Sequence, residues 1–290
     1  MPNSPQVPWT DEQWARVNQV VQEEAKRARV AAQFLPLYGP LAPDTDFVRR
    51  EFIPREDEDP RPLKVLKIGD RSTIQLATLA VKVQFRGAQM ADPDLNSVLT
   101  LFRRAANIIA RLEDAVIFRG LVNGHWDQFE PPGGVPKGNW EIHGGQKTVG
   151  LWVEEAGANS PTDSSGGLET EELRAQKRRV RVPVALPDGP DPPGDVLVGS
   201  VSEAIGKVEE AFHLGPFALV LGQRFFRAAQ TPSPSLVLPQ DRILPFLNGG
   251  PLLRSSTLPE DSGVLVALGG APVELVVAQD LAIQFLQVTE

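Results

Sequence analysis

The sequence predicts an α+β protein, and three observations carry that reading. A long apolar-striped helix occupies residues 91–120, a capped amphipathic helix opens the chain, and short apolar segments bounded by Gly and Pro recur through the last third. The long segment, ADPDLNSVLTLFRRAANIIARLEDAVIFRG, has its limits written locally. Asp92 is placed to cap it, Pro93 takes the first helical position where no N–H is needed, and Gly120 follows as a stop. About 27 residues at 1.5 Å each predict a rod of roughly 40 Å. Leu95, Val98, Leu99, Phe102, Ala105, Ala106, Ile109, Leu112 and Val116 recur at the spacing of one helical face, and Leu101, Ile108 and Ala115 widen it. Leu95, Phe102, Ile109, Leu112 and Val116 are the packing positions of this spine. A helix that buries more than one side points to assembly rather than catalysis.

The opening helix begins at Thr10, with Gln13 completing a capping box, and the pattern carries it through to Leu35. Trp14, Val17, Val21, Ala25 and Ala28 form its narrow apolar stripe, so it must lie on something. Pro36, Gly39, Pro40 and Pro43 then stop helix formation. Residues 47–72 read as an extended arm with dense charge at its middle, which cannot stabilise itself as a lone hairpin and is either disordered or held against another subunit. Residues 73–85 alternate in part and predict one strand feeding the spine. From 124 to 193 the pattern weakens into Gly, Pro, Ser and acidic residues. A helix over 200–214, capped by Ser200 or Ser202, a strand FALVLG and a short helix at Phe225 and Phe226 follow. Beyond a Pro-rich stretch over 231–251, the segments GVLVAL and VELVVAQ are placed to pair through the turn at 269–272.

Composition narrows the function. The 290 residues carry a formal net charge of −8, which opposes a general nucleic-acid coat because phosphate binding needs surplus Lys and Arg. The basic run from Arg174 to Arg181 reads as a solvated edge. With no cysteine, disulfides, thiolate nucleophiles and cysteine-ligated metals are out of reach, and a reducing cytoplasm fits. The N-terminus lacks the basic start and apolar run of a signal peptide, and no segment offers about 18 uninterrupted apolar residues, so no membrane is expected. The three histidines, His125, His143 and His213, are far apart and form no metal-binding pair. The Gly-rich loop at 133–138 lacks the strand and helix that cradle a phosphate. Glu154 with Glu155, and Glu171 with Glu172, read as solvated acidic loops, and Trp126, Trp140 and Trp152 as loop anchors or subunit contacts. No catalytic residue, metal or cofactor is expected.

Several pieces together resemble a known family. WTDEQWARVNQVVQEEAKR followed by LYGPL, EDAVIFRG at 113–120, GPFALVLG at 215–222, and LNGGPLLRSSTL, GVLVAL and VVAQDLAIQF in that order over 247–285 are similar to the encapsulins. These bacterial and archaeal shell proteins, also called linocin-like, share the fold of the HK97-type phage capsid protein. The resemblance implies an N-terminal helix and lead-in over 1–46, an extension loop over 47–72, a peripheral domain with the spine helix over 73–123, an elongated loop-rich insertion over 124–199, and a mainly axial domain over 200–290. It implies a shell subunit that assembles with 60 copies of itself, or a multiple, around a cargo enzyme held by a C-terminal peptide, such as a peroxidase or ferritin-like protein. The alternative within the same fold is the major capsid protein of a phage or prophage that packages DNA. By family position Trp14, Val17 and Val21 would touch the cargo, and the loop bearing Thr231, Ser233, Ser235 and Gln240 would approach a five-fold pore. Family members continue a few tens of residues beyond VVAQDLAIQF, whereas this chain stops at Glu290, so it is truncated or those strands are supplied differently.

Overall fold

Helix formation starts at the box read from the sequence. The computed structural model describes residues 9–39, 41–52, 69–121, 139–145, 148–152, 180, 182, 193–232, 236–270 and 273–284. Helix α1 is Asp11–Ala28: the Thr10 hydroxyl accepts from the Gln13 N–H at 3.2 Å, and the Gln13 side chain accepts from the Thr10 N–H at 3.0 Å. Asp11 and Glu12 in the first turn and Lys26 and Arg27 in the last complement its dipole. The helix ends at Ala28, earlier than the pattern to Leu35 suggests. The N–H groups of Val30 and Ala31 donate to the Asp114 carboxylate instead of to the preceding turn, and a short 3-10 turn, Ala31–Gln33, follows.

After the single turn α2, Gly87–Met90, the spine α3 spans Asn96–Arg119. It starts later than the predicted Asp92 cap. The Asp92 carboxylate accepts from the Asp94 N–H at 3.1 Å and its carbonyl from the Leu95 N–H at 3.2 Å, forming a turn before the helix. Leu95, at φ 52°, is held left-handed by complete burial of its side chain. Gly120, at φ 75°, ends the helix as expected. Its 24 residues span about 36 Å.

Helices α1 and α3 share a core of Val17, Val21, Leu95, Val98, Leu99, Phe102 and Ala106, closed by Trp9 edge-on to Trp14 (4.9 Å) and to Phe102 (6.4 Å). Farther along, Ile108 and Leu112 turn to a second wall of Leu79, Val81 and Trp140. Of the predicted spine contacts, Leu95, Phe102 and Leu112 are buried, whereas Ile109 and Val116 are half-buried. The wall on the Ile108 side draws that flank inward and leaves Ile109 at the margin.

The strand expected over 73–85 is two strands. β1 is Leu37–Tyr38, and β2, Phe47–Phe52, pairs antiparallel with β3, Gly69–Gln75, forming the base of the arm; the arm's middle lies outside the described residues. β4, Ala77–Val81, pairs instead with β6, Trp140–Gly144. Leu76 is the switch between them: its N–H donates to Asp46 at 2.8 Å, and its carbonyl accepts from Gly145 at 2.9 Å. β5, Gly120–Leu121, pairs with β7, Thr148–Val149.

In the second half, α4 is Gly194–Glu210, beginning before the serines proposed as caps. The Ser200 hydroxyl donates to the Val196 carbonyl inside the helix, at 2.9 Å. β8, Phe217–Leu221, lies at the centre of a three-stranded sheet, antiparallel to β10, Gly263–Ala267, and parallel to β9, Leu252–Arg254. All five β8 residues are buried. Phe217, Leu219 and Leu221 meet α4, α5 (Gln223–Gln230) and α6 (Pro239–Ile243), while Ala218 and Val220 meet Ala31, Phe34 and Phe118. A side chain at Gly222 would sit 2.0 Å from the Pro259 carbonyl oxygen, so only glycine lets the chain leave β8 here. The hairpin expected between β10 and β11 is absent. β11, Leu275–Val276, pairs in parallel with β1 instead, and the Leu275 N–H donates to the Pro36 carbonyl at 2.8 Å.

The partial exposure of Ile109 beside the buried Leu112 sets an order of cost. Leu112→Ala should destabilise the protein by about 2–5 kcal/mol, and Ile109→Ala by clearly less. Denaturant midpoints followed by tryptophan fluorescence check this; equal losses would contradict the described stripe.

Candidate assembly and docking site

The α1 residues proposed for docking divide on burial. Val17 is 0% and Val21 5% exposed, both turned onto α3, so neither offers a surface to a partner. This corrects the docking assignment for these two: the stripe is consumed by helix packing, as the amphipathic pattern also permits. Trp14 remains at the margin, half-buried beside Trp9, and Val20 is half-buried with it. Leu281 and Ile283 of the C-terminal segment pack on the same cluster, and the Gln22 side-chain amide lies 3.5 Å from the Leu281 carbonyl. The margin of α1 is thus bounded by the chain's last described residues.

Where α1 meets the spine, charges are buried that the sequence reading did not single out. Asp114, 1% exposed, accepts from the Val30 N–H at 2.9 and 3.1 Å and from the Ala31 N–H at 2.8 Å. Arg29 bridges Glu113 at 3.0 Å and Asp280 at 2.8 Å, joining helix end, spine and C-terminal segment. Burial pushes Asp114 up from 3.8 to about 7, against the pull of the two N–H donors, and burial also raises Glu113. Burial works the same way on Asp280, but the Arg29 guanidinium and the Leu281 N–H outweigh it and hold this carboxyl below its ordinary value. A carboxylate within the apolar run of EDAVIFRG was the signal available in the sequence.

The proposed pore segment is only partly described. Thr231 is exposed just after α5, its hydroxyl donating to the Arg227 carbonyl at 2.9 Å. Gln240, in α6, accepts from the Gln230 side-chain amide, so the two ends of this loop are tied together. Ser233 and Ser235 lie outside the described residues. Leu236 is 87% exposed on the loop, and Phe212, Leu214, Leu244 and Phe246 also stand exposed in this half.

His143 lies 3.1 Å from Glu141 on exposed β6, with Lys82 on the other oxygen of the same carboxylate. Among the described residues no group of three His, Cys, Asp or Glu could hold a metal ion, and no helix is long and apolar enough to cross a membrane. Trp140 packs on Ile108 and Leu112, and Trp152 lies under the Arg119 guanidinium at 5.3 Å, so both serve as anchors. His125, Trp126, the loop at 133–138, the Glu154–Glu155 and Glu171–Glu172 pairs and, apart from Val180, the basic run at 174–181 lie outside the described residues.

The family described as "Encapsulating protein for peroxidase" matches residues 3–127 and 176–290. The chain is 23% identical over 296 residues to the Type 1 encapsulin shell protein EncA of Myxococcus xanthus (strain DK1622), covering 96% of this chain and 84% of that protein. A virus-like particle from Pyrococcus furiosus, solved by crystallography, is similar at 14% identity with a TM-score of 0.44, over 93% of this chain and 86% of that one.

The raised Asp114 carboxyl has a pH consequence. Its folded form binds a proton more tightly than its unfolded form, so its stabilising contribution is complete below about pH 4 and is lost as pH rises through about 7. Asp114→Asn should remove that slope. The melting-temperature difference between the parent and Asp114→Asn, scanned from pH 4 to 8, should favour the parent most at the acid end; a difference independent of pH would contradict the burial of this group.

Proposed function

Because this chain belongs to the encapsulin family, the encapsulating proteins for peroxidase, we propose that it is a non-enzymatic shell subunit that self-assembles into a closed icosahedral compartment around a cargo enzyme. The single observation that carries this reading is the family match over both halves of the chain, residues 3–127 and 176–290. In this reading the subunit follows the HK97-type plan. Residues 47–72 form the extension loop, 73–123 the peripheral domain with the spine, 124–199 an insertion, and 200–290 mainly the axial domain. Two features of the molecule support it. The arm's base is paired, β2 with β3, and the sequence between these strands is strongly charged, which suits contact with a neighbouring copy. The exposed Phe212, Leu214, Leu236, Leu244 and Phe246 are apolar surface that repeated subunit contacts would cover.

The shell works in the cytoplasm, a setting that a cysteine-free chain suits. Cargo docks by a C-terminal peptide along the margin of α1, where Trp14 and Val20 are half-buried, rather than on Val17 and Val21. A peroxidase or a ferritin-like protein is the expected class of guest. The net charge of −8 supports a protein cargo over packaged DNA.

Closed symmetry fixes the size of the particle. Sixty copies of a 31.6 kDa chain amount to about 1.9 MDa, and larger shells are multiples of that mass. Light scattering and negative-stain imaging of the purified protein should show hollow particles of this class; a stable monomer or dimer at neutral pH would end the shell reading. Particles from the native host should contain one abundant second protein, and genome-length DNA in its place would make the chain a phage capsid subunit.

The arm separates assembly from folding. Deleting residues 50–62 removes few apolar side chains, so a helical circular-dichroism spectrum should persist while particles are lost or become polymorphic. Uniform shells from the deletion would show that the arm makes no essential contact between subunits.

A further inference from the structure

Where α1 ends, a cleft of about 230 Å³ opens between the helix terminus, the spine and the segment after β9. Arg27, Asn107, Arg111, Asp114, Arg254 and Ser256 line it. Asn107, Arg111 and Asp114 are four and then three residues apart, so they share one face of α3 and interrupt its apolar surface with polar groups. Asp114 caps the chain after α1, and Asn107 ties the spine to Glu24 of α1.

The sign of the charge is opposite to that of the protein as a whole. Arg27, Arg111 and Arg254 all line one small space on a chain of net charge −8. Glu24 sits at the edge, taking both Nη2 bonds of Arg27 (2.8 and 2.9 Å) and one from the Asn107 amide (2.9 Å), which orients these two side chains. On the opposite side the Arg254 guanidinium lies 5.8 Å over the Phe226 ring, with Gln223 Oε1 at 3.4 Å, so α5 positions it. The one carboxylate in the lining, Asp114, is occupied by two backbone N–H groups, and with burial raising it to about 7 much of it is uncharged near neutrality. Guanidiniums present a planar fork of N–H donors that matches the oxygens of phosphate and carboxylate.

We propose that this cleft binds a small oxyanion of the phosphate-monoester class, one per chain. Its volume is below the range of drug-sized pockets, which suits a compact ligand. The site does not depend on the shell reading: a monomer would carry it equally.

Isothermal titration of inorganic phosphate and of glycerol 3-phosphate into the full-length protein, at matched chloride, tests the site. Saturable binding of one anion per chain is expected, with a rise in melting temperature at saturation. Arg254→Ala should weaken it at least about tenfold, since one charge-assisted contact is lost from an exposed residue whose removal leaves the fold intact. Asp114→Asn, which keeps an oxygen acceptor for Val30 and Ala31, should bind like the parent at about pH 6 and more tightly than it as pH rises through about 7, where the parent's carboxyl ionises; a structural role alone gives no such pH dependence. Heats without saturation by about 10 mM, or equal affinity in the parent and Arg254→Ala, would overturn the site. Light scattering on the same samples reads the particle independently, so loss of the anion site and loss of the shell are distinguishable.

Discussion

Two backbone N–H groups given to one buried carboxylate decide how the first helix meets the rest of the chain. Val30 and Ala31 donate to Asp114, and that contact ends α1, turns the chain into the 3-10 segment and sets Phe34 and Leu35 toward the sheet. Removing the acceptor would strand two buried donors, a cost on the order of 1–3 kcal/mol for each unsatisfied group. The Arg29 bridge to Glu113 and Asp280 lies beside it and adds the C-terminal segment to the same junction. Three stretches distant in sequence therefore meet near the C-terminal end of the spine.

From that junction the core continues through a single strand. β8 is buried on both faces, so its alternation distributes Phe217, Leu219 and Leu221 to one apolar cluster and Ala218 and Val220 to another. The second cluster contains Phe118 from the spine and Ala31 from the turn after α1. The end of the spine helix and the second half of the chain are thus mechanically joined through β8. For a shell subunit this matters, because force transmitted between copies must cross a close-packed interior that yields little.

The surface carries the complementary message. A chain that buries its N-terminal stripe on its own spine leaves Phe212, Leu214, Leu236, Leu244 and Phe246 in water in the other half. Exposed aromatic and leucine side chains in an acidic, otherwise polar chain are what repeated association uses, since each contact is weak and symmetry multiplies it. The arm adds a different device, a two-stranded ribbon whose base is paired and whose intervening sequence is dense in charge.

Local chemistry made the Thr10–Gln13 box, the Gly120 stop, the spine, the Phe225 helix and the family motifs legible in the sequence, because each depends on neighbours within a few residues. Where local rules competed with distant partners, only the tertiary structure decided. Burial of Leu95 moved the start of the spine past Asp92, and Asp114 ended α1 short of Leu35. Leu76 divided a predicted strand between two partners, and β1 rather than β10 took β11. Val17 and Val21 illustrate the same limit: helical periodicity states that they face something, but whether that is the spine or a partner depends on which surface arrives first, and here it is α3. Periodicity reports that a face must be covered; the identity of its cover is a property of the whole chain.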